Sequence, residues 1–372
     1  MKRRDDMSQK KPATYGEAGV RTNLEAGLDA LLRWVAPTEA LRAGRTGRSV
    51  LPIGYYANVV DIGHGMGLAL TTDGVGTKVL VAEMIGAYDT IGIDCVAMNV
   101  NDVICVGAEP VSMLDYLAVE EPRPEVLGAI GRGLAAGAEQ AGVNIVGGEL
   151  SQMGEVIRGH GRGSGIDLVG MCAGLVPIED VNVGQNVRPG DAIVALASSG
   201  IHSNGLTLAR KVLFDTAGLK PTDRPADLGR TVGEELLEPT RIYVKCVRAL
   251  AEAGVPLRAM LHITGDGLLN MRRIQPDVSF RVHTLPEPQP IFRMIQSLGG
   301  IEDAEMFRVF NMGIGFCVIV PADGAVIARV AETCRAAGIA TTVIGEVIAD
   351  PSRKVVVEPK KIVNEGDFFR RA

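Results

Sequence analysis

The chain has 372 residues, 47% of them hydrophobic and 22% charged, which suits two medium globular domains because single cores seldom grow past about 250 residues. Thirty-eight Lys and Arg against forty-four Asp and Glu leave a formal charge of -6, and no stretch gathers basic residues with aromatics, so a nucleic-acid polymer is excluded as a partner. The longest apolar runs, such as GIGFCVIVP, are about half the length of a bilayer span, and no membrane crossing is expected.

Residues 1–13 lack the apolar segment of a secretory signal and read as a disordered, solvated tail on a cytoplasmic protein. EAGLDALLRWVAPTEALRAG then places Leu28, Leu31, Leu32 and Val35 at helical spacing and predicts an amphipathic helix stopping near Pro37. YYANVVDIG and GLALTT predict two neighbouring strands leading into TDGVGTK, which a further strand-like run follows. The period turns helical from Asp89 to Val106. PVSMLDYLAV predicts a strand, PEVLGAIGRGLAAGAEQAG a helix, and NIVGGEL and IDLVGMCAGLVP two more strands. A Pro/Gly-containing connection near residue 180 divides an N-terminal domain, 14–180, from a C-terminal one, 181–372.

The second half continues with a strand in DAIVALASSG and helices in NGLTLARKVLFDTAG and PTRIYVKCVRALAEAG. A strand into HITGDG, a helix in PQPIFRMIQSLGG, a strand in MGIGFCVIVP, a helix in GAVIARVAETCRAAG and the run TTVIGEVI complete it. This alternation predicts a mixed α/β (α+β) protein of two layered domains without internal repeats. Six cysteines, scattered without a CxxC pair, read as buried free thiols in a reducing compartment.

Three clusters carry chemistry. In TDGVGTK, Gly74 and Gly76 let the backbone turn and expose N–H groups, Thr77 and Lys78 add donors, and Asp73 suits a Mg²⁺ riding on a phosphate. A tight hairpin with a solvated lysine fits the same residues. The spacing is not that of a P-loop. On the helix beginning near Asp89, Asp94 and Asn101 fall within about 20° of one another and Asp102 about 80° further round. Metal or substrate contact and an ordinary polar helix face both remain open there. In SSGIHSNGLTLARKV, Ser203 or Asn204 is placed to cap a helix that would receive an anion, with Gly205 behind them and His202 as a donor or proton-transfer group. A capped helix with an incidental histidine is the alternative. HITGDG repeats the theme with His262 and Thr264, and GGEL sets Glu149 after two glycines.

Taken in order, TDGVGTK, GIDxVAMxVNDxxxxGAEP, LDY, GGE, SGxHSNGxxLxRKV, PTRIYVK, HITGxG and FNMGIG resemble the phosphoribosylformylglycinamidine cyclo-ligase (aminoimidazole ribonucleotide synthetase) family, from Thr14 to about Val357. The resemblance implies an ATP- and Mg²⁺-dependent ring closure of formylglycinamidine ribonucleotide in purine synthesis. It implies a homodimer whose N-terminal sheets join into a barrel across the two-fold axis, a C-terminal α/β sandwich, and active sites in clefts between domains. Carried over by position, Asp73, Gly74, Gly76, Thr77 and Lys78 would bind ATP. Asp73, Asp102 and Asp94 would hold metal, and His202, Lys78 and Asp102 would be catalytic. His202, Ser203, Asn204, Gly205, Glu149, Thr264 and Asn311 would line the substrate.

The chain departs from the pattern with RTGRSVLPIGYYANVVDIG in place of a Gly/Phe-rich loop, GGEL for GGET and HITGDG for HITGGG. Asp266 in that last turn is either a negative charge near a phosphate pocket or a third metal ligand. Two other functions compete: a phosphotransferase or synthetase of the same architecture acting on another small substrate, and a non-catalytic nucleotide-binding paralogue. An acidic, basic and imidazole set placed in apolar segments speaks against the last, since buried polar groups are costly without a task.

Overall fold

The computed structural model describes residues 13, 14, 16, 18 and 24–372. The expected N-terminal tail lies outside the described residues save Ala13, which is buried and donates its N–H to the Gly299 carbonyl (3.0 Å). Helix α1 (Leu24–Val35) gives way to a 3-10 turn at Ala36–Arg42, where Pro37 cannot supply an N–H to continue the α pattern. Its apolar residues Leu28, Leu31 and Trp34 stay exposed.

The first sheet holds β1 (Asn58–Gly63), β2 (Met66–Gly74), β3 (Glu109–Val119), β4 (Asn144–Gln152) and β5 (Ile166–Pro177) in the order β1-β2-β5-β3-β4. Only β3 and β4 pair in parallel, and α4 (Pro124–Ala141) supplies their crossover. Between β2 and β3 run α2 (Lys78–Ile85) and α3 (Asp89–Cys105). The run after TDGVGTK is therefore a helix, not a strand: Val79 and Ala82 share a buried face, and Gly86 closes the helix in the left-handed region. Helix α3 packs across β2, β5 and β3 and is buried along nearly its whole length. A polar side chain on it must find a protein partner rather than water.

The second sheet has the order β13-β12-β11-β8-β10-β6-β9-β7. Its strands are β6 (Ala192–Ala197), β7 (Ala259–His262), β8 (Ser279–Val282), β9 (Ile314–Val320), β10 (Thr341–Ile348), β11 (Val355–Val357), β12 (Ile362–Glu365) and β13 (Phe368–Arg371). Every residue of β9 is buried, as expected of an interior strand with both faces covered. Helices α5 (Leu206–Arg210), α6 (Val232–Leu236), α7 (Val244–Glu252), α8 (Pro290–Gly299), α9 (Asp303–Val309) and α10 (Gly324–Ala336) complete this half.

Two expected helices differ. NGLTLARKVLFDTAG forms only a short α5 that widens into a π-helix over Lys211–Thr216, and its N-cap is Gly205 at φ 83° with no side-chain cap from Ser203 or Asn204. PTRIYVK is not helical until Val244, because α3 holds its backbone in place.

Candidate active site at the seam between the two sheets

Helix α3 lies along the seam, and each polar residue on it does one identifiable job. Asn99, fully buried, accepts from the Asp73 N–H (3.0 Å) and donates to the Asp73 carbonyl (3.1 Å) and to the Cys95 carbonyl (2.9 Å). This amide clamps the end of β2. A side chain on Gly170 of the neighbouring strand would not fit beside it, since an added Cβ would come within 2.6 Å of Asn99 Nδ2. Asp73 Oδ1 accepts from the Gly74 N–H (2.7 Å), and Gly76 takes φ 66° so that the chain can turn into α2.

Asp102 faces the same region from α3. Its Oδ1 lies 2.8 Å from His262 Nδ1, and because a carboxylate only accepts, that ring nitrogen carries the hydrogen. His262 is fully buried on β7, and its Nε2 has no partner among the described residues. Burial first, and then the charge of Asp102, raise the Asp73 carboxyl above its ordinary value; the Gly74 N–H, His262 and Arg273 pull the other way. Asn99, one turn before Asp102 on α3, thus ties the end of β2 that carries Asp73 to the part of α3 that carries Asp102.

Arg273 stacks 4.8 Å over the Tyr56 ring and reaches Asp266, Nη2 to Oδ2 3.7 Å. Asp266 is thereby matched with a cation on the far side of its own turn. The loop after β7 continues through half-buried Thr264, whose carbonyl accepts from the Gly267 N–H (2.9 Å). Asn204 Oδ1 lies 3.3 Å from where a Cβ on Gly265 would stand, so the HSNG and HITG loops touch. Thr77 Oγ1 meets Thr207 Oγ1 at 2.9 Å, bringing the glycine turn against the start of α5. Asp73, Asp102, Gly74, Gly76, Thr77, Asn204 and Thr264 therefore border one stretch of the seam.

Other expected residues serve the fold instead. Lys78 and Asp94 are both fully buried and paired, Nζ to Oδ2 2.8 Å, with Nζ also donating to the Glu238 carbonyl (2.6 Å). Asp94 Oδ1 further accepts the Thr240 N–H (2.7 Å) and hydroxyl (2.6 Å), and Thr240 Oγ1 meets Ser203 Oγ at 3.1 Å. A phosphate contact for Lys78 and a metal contact for Asp94 do not fit this geometry, because their charges are spent on each other away from solvent. Asn101 likewise bonds the Arg241 carbonyl and the Tyr243 N–H, each at 2.9 Å.

His202 is 2% exposed and held at φ 65°. Its Nε2 accepts from the N–H groups of Ser199 (3.2 Å) and Arg241 (3.4 Å). Burial, then His262, Lys78 and Arg241, push its pKa well below the ordinary range, and with Nε2 spent on two backbone N–H groups, only Nδ1, buried and without a partner among the described residues, is left for the expected proton-transfer role. Asn311 satisfies Ser198, Gly200, Ile201 and Gly313 from a buried position and has no capacity left for a ligand. Glu149 pairs in register with Tyr116 and lies on the sheet face opposite Asp73. A cavity of ≈ 280 Å³ behind the seam, lined by Ile104, Pro110, Val244 and Met260 among others, includes none of the expected site residues.

The chain matches the family described as AIR synthase related protein over residues 54–176 for its N-terminal domain and 188–358 for its C-terminal domain. A relative from Methanothermobacter thermautotrophicus named phosphoribosylformylglycinamidine cyclo-ligase is 47% identical over 311 residues, covering 83% of this chain and 88% of its own. The chain belongs to this cyclo-ligase family. A second member of the family with the same name, from Thermococcus kodakarensis, is 48% identical over 309 residues, 83% of this chain and 88% of its own. Among solved structures, AaThiL complexed with AMPPCP and TMP shares the fold at TM-score 0.62 and 19% identity, covering 92% of this chain and 96% of its own.

Three residues of this family member escaped the sequence reading as site residues: Asn99, His262 as the partner of Asp102, and Arg273. An asparagine in the middle of the apolar helix was the available signal for Asn99. His262 lies 160 residues from Asp102 and carried no local signal of that pairing.

Proposed function

We propose that the chain catalyses the ATP-dependent cyclisation of formylglycinamidine ribonucleotide to 5-aminoimidazole ribonucleotide, releasing ADP and phosphate, in purine synthesis. The observation that carries this reading is that Asn99, one turn before Asp102 on α3, holds the backbone of Asp73 at the seam of a chain whose two halves both match the family. ATP phosphorylates the formamide oxygen, the amidine nitrogen attacks that carbon, and the C–O bond breaks as phosphate leaves and nitrogen loses a proton. The protein's tasks are to hold two ends of one substrate together and to offset charge on the transferring group.

The donor set fits Mg²⁺. Among the described residues no group of three or more His, Cys, Asp and Glu could cage a metal, whereas Mg²⁺ keeps several waters and takes one or two carboxylates plus substrate phosphates. Asp73 and Asp102 would hold it, and it would neutralise charge on the phosphoryl group. Asn99 fixes Asp73, and His262 orients Asp102. Gly74, Gly76 and Thr77 stand at the N-terminus of α2, where N–H groups and the helix dipole favour the ATP phosphates. Asn204 and Thr264 line the substrate end.

The same reading assigns residues 14–180 to ATP binding and dimerisation and 181–372 to the second domain. A homodimer is supported by an exposed apolar row on the outer face of the first sheet: Leu114, Tyr116, Met171 and Leu175. We place the enzyme in the cytoplasm; no helix among the described residues is long and apolar enough to cross a membrane. Purified protein given the ribonucleotide, ATP and Mg²⁺ is expected to form a diazotisable aminoimidazole. ATP hydrolysis without that amine would favour a phosphotransferase acting on another substrate.

A further inference from the structure

All six cysteines are free and buried, as expected, yet Cys246 on α7 and Cys334 on α10 meet with their Sγ atoms 3.2 Å apart. Both side chains are buried, at 2% and 0% exposure. Helices α7 and α10 pack directly on each other, so the two sulfurs are presented across a helix–helix contact rather than along one helix. An S–S bond of ~2.05 Å needs the sulfurs to close by only about 1 Å, within the reach of side-chain torsions. We propose that Cys246 and Cys334 are a redox modification site, converted reversibly to an intramolecular disulfide by a peroxide or a small-molecule disulfide.

The chemistry balances with a peroxide as the two-electron oxidant. One thiolate of the pair attacks a peroxide oxygen to give a sulfenic acid and water, and the other sulfur displaces the hydroxyl as a second water, leaving one S–S bond; with a small-molecule disulfide the first thiolate forms a mixed disulfide that the second sulfur resolves, releasing two thiols. Either sulfur can begin the exchange, because each faces the other across the same 3.2 Å contact. Helix α10 gives the oxidant a route in. Only Val330 and Cys334 on it are fully buried, so local opening of a peripheral helix exposes the thiol without global unfolding.

The bond would strengthen a contact the fold already makes. Arg241, in the segment leading into α7, donates from Nη1 to the Gly338 carbonyl just beyond α10 (3.2 Å). It would also close a loop of 88 residues, long enough for a large restriction of the unfolded chain. Neither cysteine borders Asp73 or Asp102 among the contacts described, so the site is independent of the proposed activity.

The test is treatment of the native full-length protein with hydrogen peroxide or oxidised glutathione, followed by thiol counting after denaturation and a non-reduced peptide map. The expected result is a fall from six free thiols to four, one linked peptide pair containing Cys246 and Cys334, and a thermal midpoint higher by ~5–10 °C that reductant reverses. Cys334→Ala should show neither cross-link nor midpoint gain while keeping the reduced parent's basal rate. Should that variant fail to fold, the map of the unmodified sequence decides alone. Retention of six thiols, a glutathione adduct in place of the cross-link, or a bond between other cysteines would each overturn the proposal.

Discussion

Lys78 Nζ lies 2.9 Å from Asp94 Oδ1 and 2.8 Å from Oδ2, with neither side chain exposed to solvent. The lysine comes from the glycine turn of the first domain, and Asp94 in turn holds Thr240 of the second. One buried ion pair thus connects the glycine turn to the domain seam. Burial lowers the Lys78 pKa, with the Asp94 charge opposing that shift.

Lys78→Met leaves Asp94 as an uncompensated buried charge and should cost ~3–5 kcal/mol of stability. Lys78→Met combined with Asp94→Asn keeps an acceptor for Thr240 and should recover more than half of that loss. Thermal and urea denaturation read both effects. A Lys78→Met protein that unfolds like the parent but needs far more ATP would return this lysine to the phosphate site.

Asp73→Asn separates a catalytic from a stability effect. The folded-state pKa of Asp73 lies above its unfolded value, so its contribution to stability is fully present below pH ~3.9 and is lost as pH rises through the folded value. Above the unfolded value, ionising the carboxylate opposes folding. The variant should therefore melt higher than the parent at pH 7, with the difference vanishing below pH ~4, while activity falls at least ~100-fold. An unchanged melting temperature across that range would show that the charge is relieved another way.

His262→Gln removes the ring that orients Asp102. The expected outcome is a ~10–100-fold rise in the Mg²⁺ concentration for half-maximal rate, with the KM for the ribonucleotide little changed. Titration of the rate with Mg²⁺ at saturating ATP checks it, and equal Mg²⁺ dependence in variant and parent would remove His262 from the metal-positioning role.

Gly170→Ala pushes a methyl group to 2.6 Å from Asn99 Nδ2 and 2.9 Å from Cys95 Sγ. Overpacking of this kind costs ~1–3 kcal/mol, and displacement of Asn99 frees the backbone of Asp73. Activity should fall more than the stability loss explains, measured on protein held well below its melting temperature. A loss of stability alone would mean that Asn99 is not what fixes Asp73.

Much of the architecture was legible because periodicity reports burial. The β1–β2 pair, α3, β3, α4 and β5 follow their apolar patterns closely, although α3 is buried along nearly its whole length, its Asp94 and Asn101 included, rather than on one apolar face. The departures arise where tertiary contacts override local pattern. PTRIYVK has helical spacing, yet Asp94 and Asn101 capture its backbone at Thr240, Arg241 and Tyr243 and delay α7 to Val244. TDGVGTK was recognisable as a turn with donors, but nothing local indicates that Lys78 points inward. The strands β11, β12 and β13 are three or four residues long, too short for a period to emerge. Asp73 and Asp102 were legible as residue types, and the contacts that Asn99 and His262 make with them were not.

The most direct measurement starts from formylglycinamidine ribonucleotide carrying oxygen-18 in its formyl carbonyl, incubated with the protein, ATP and Mg²⁺. If ATP activates that oxygen for ring closure at the seam, the inorganic phosphate released carries the label, one labelled phosphate for each aminoimidazole formed. Unlabelled phosphate, or labelled substrate recovered intact while ATP is consumed, would contradict it.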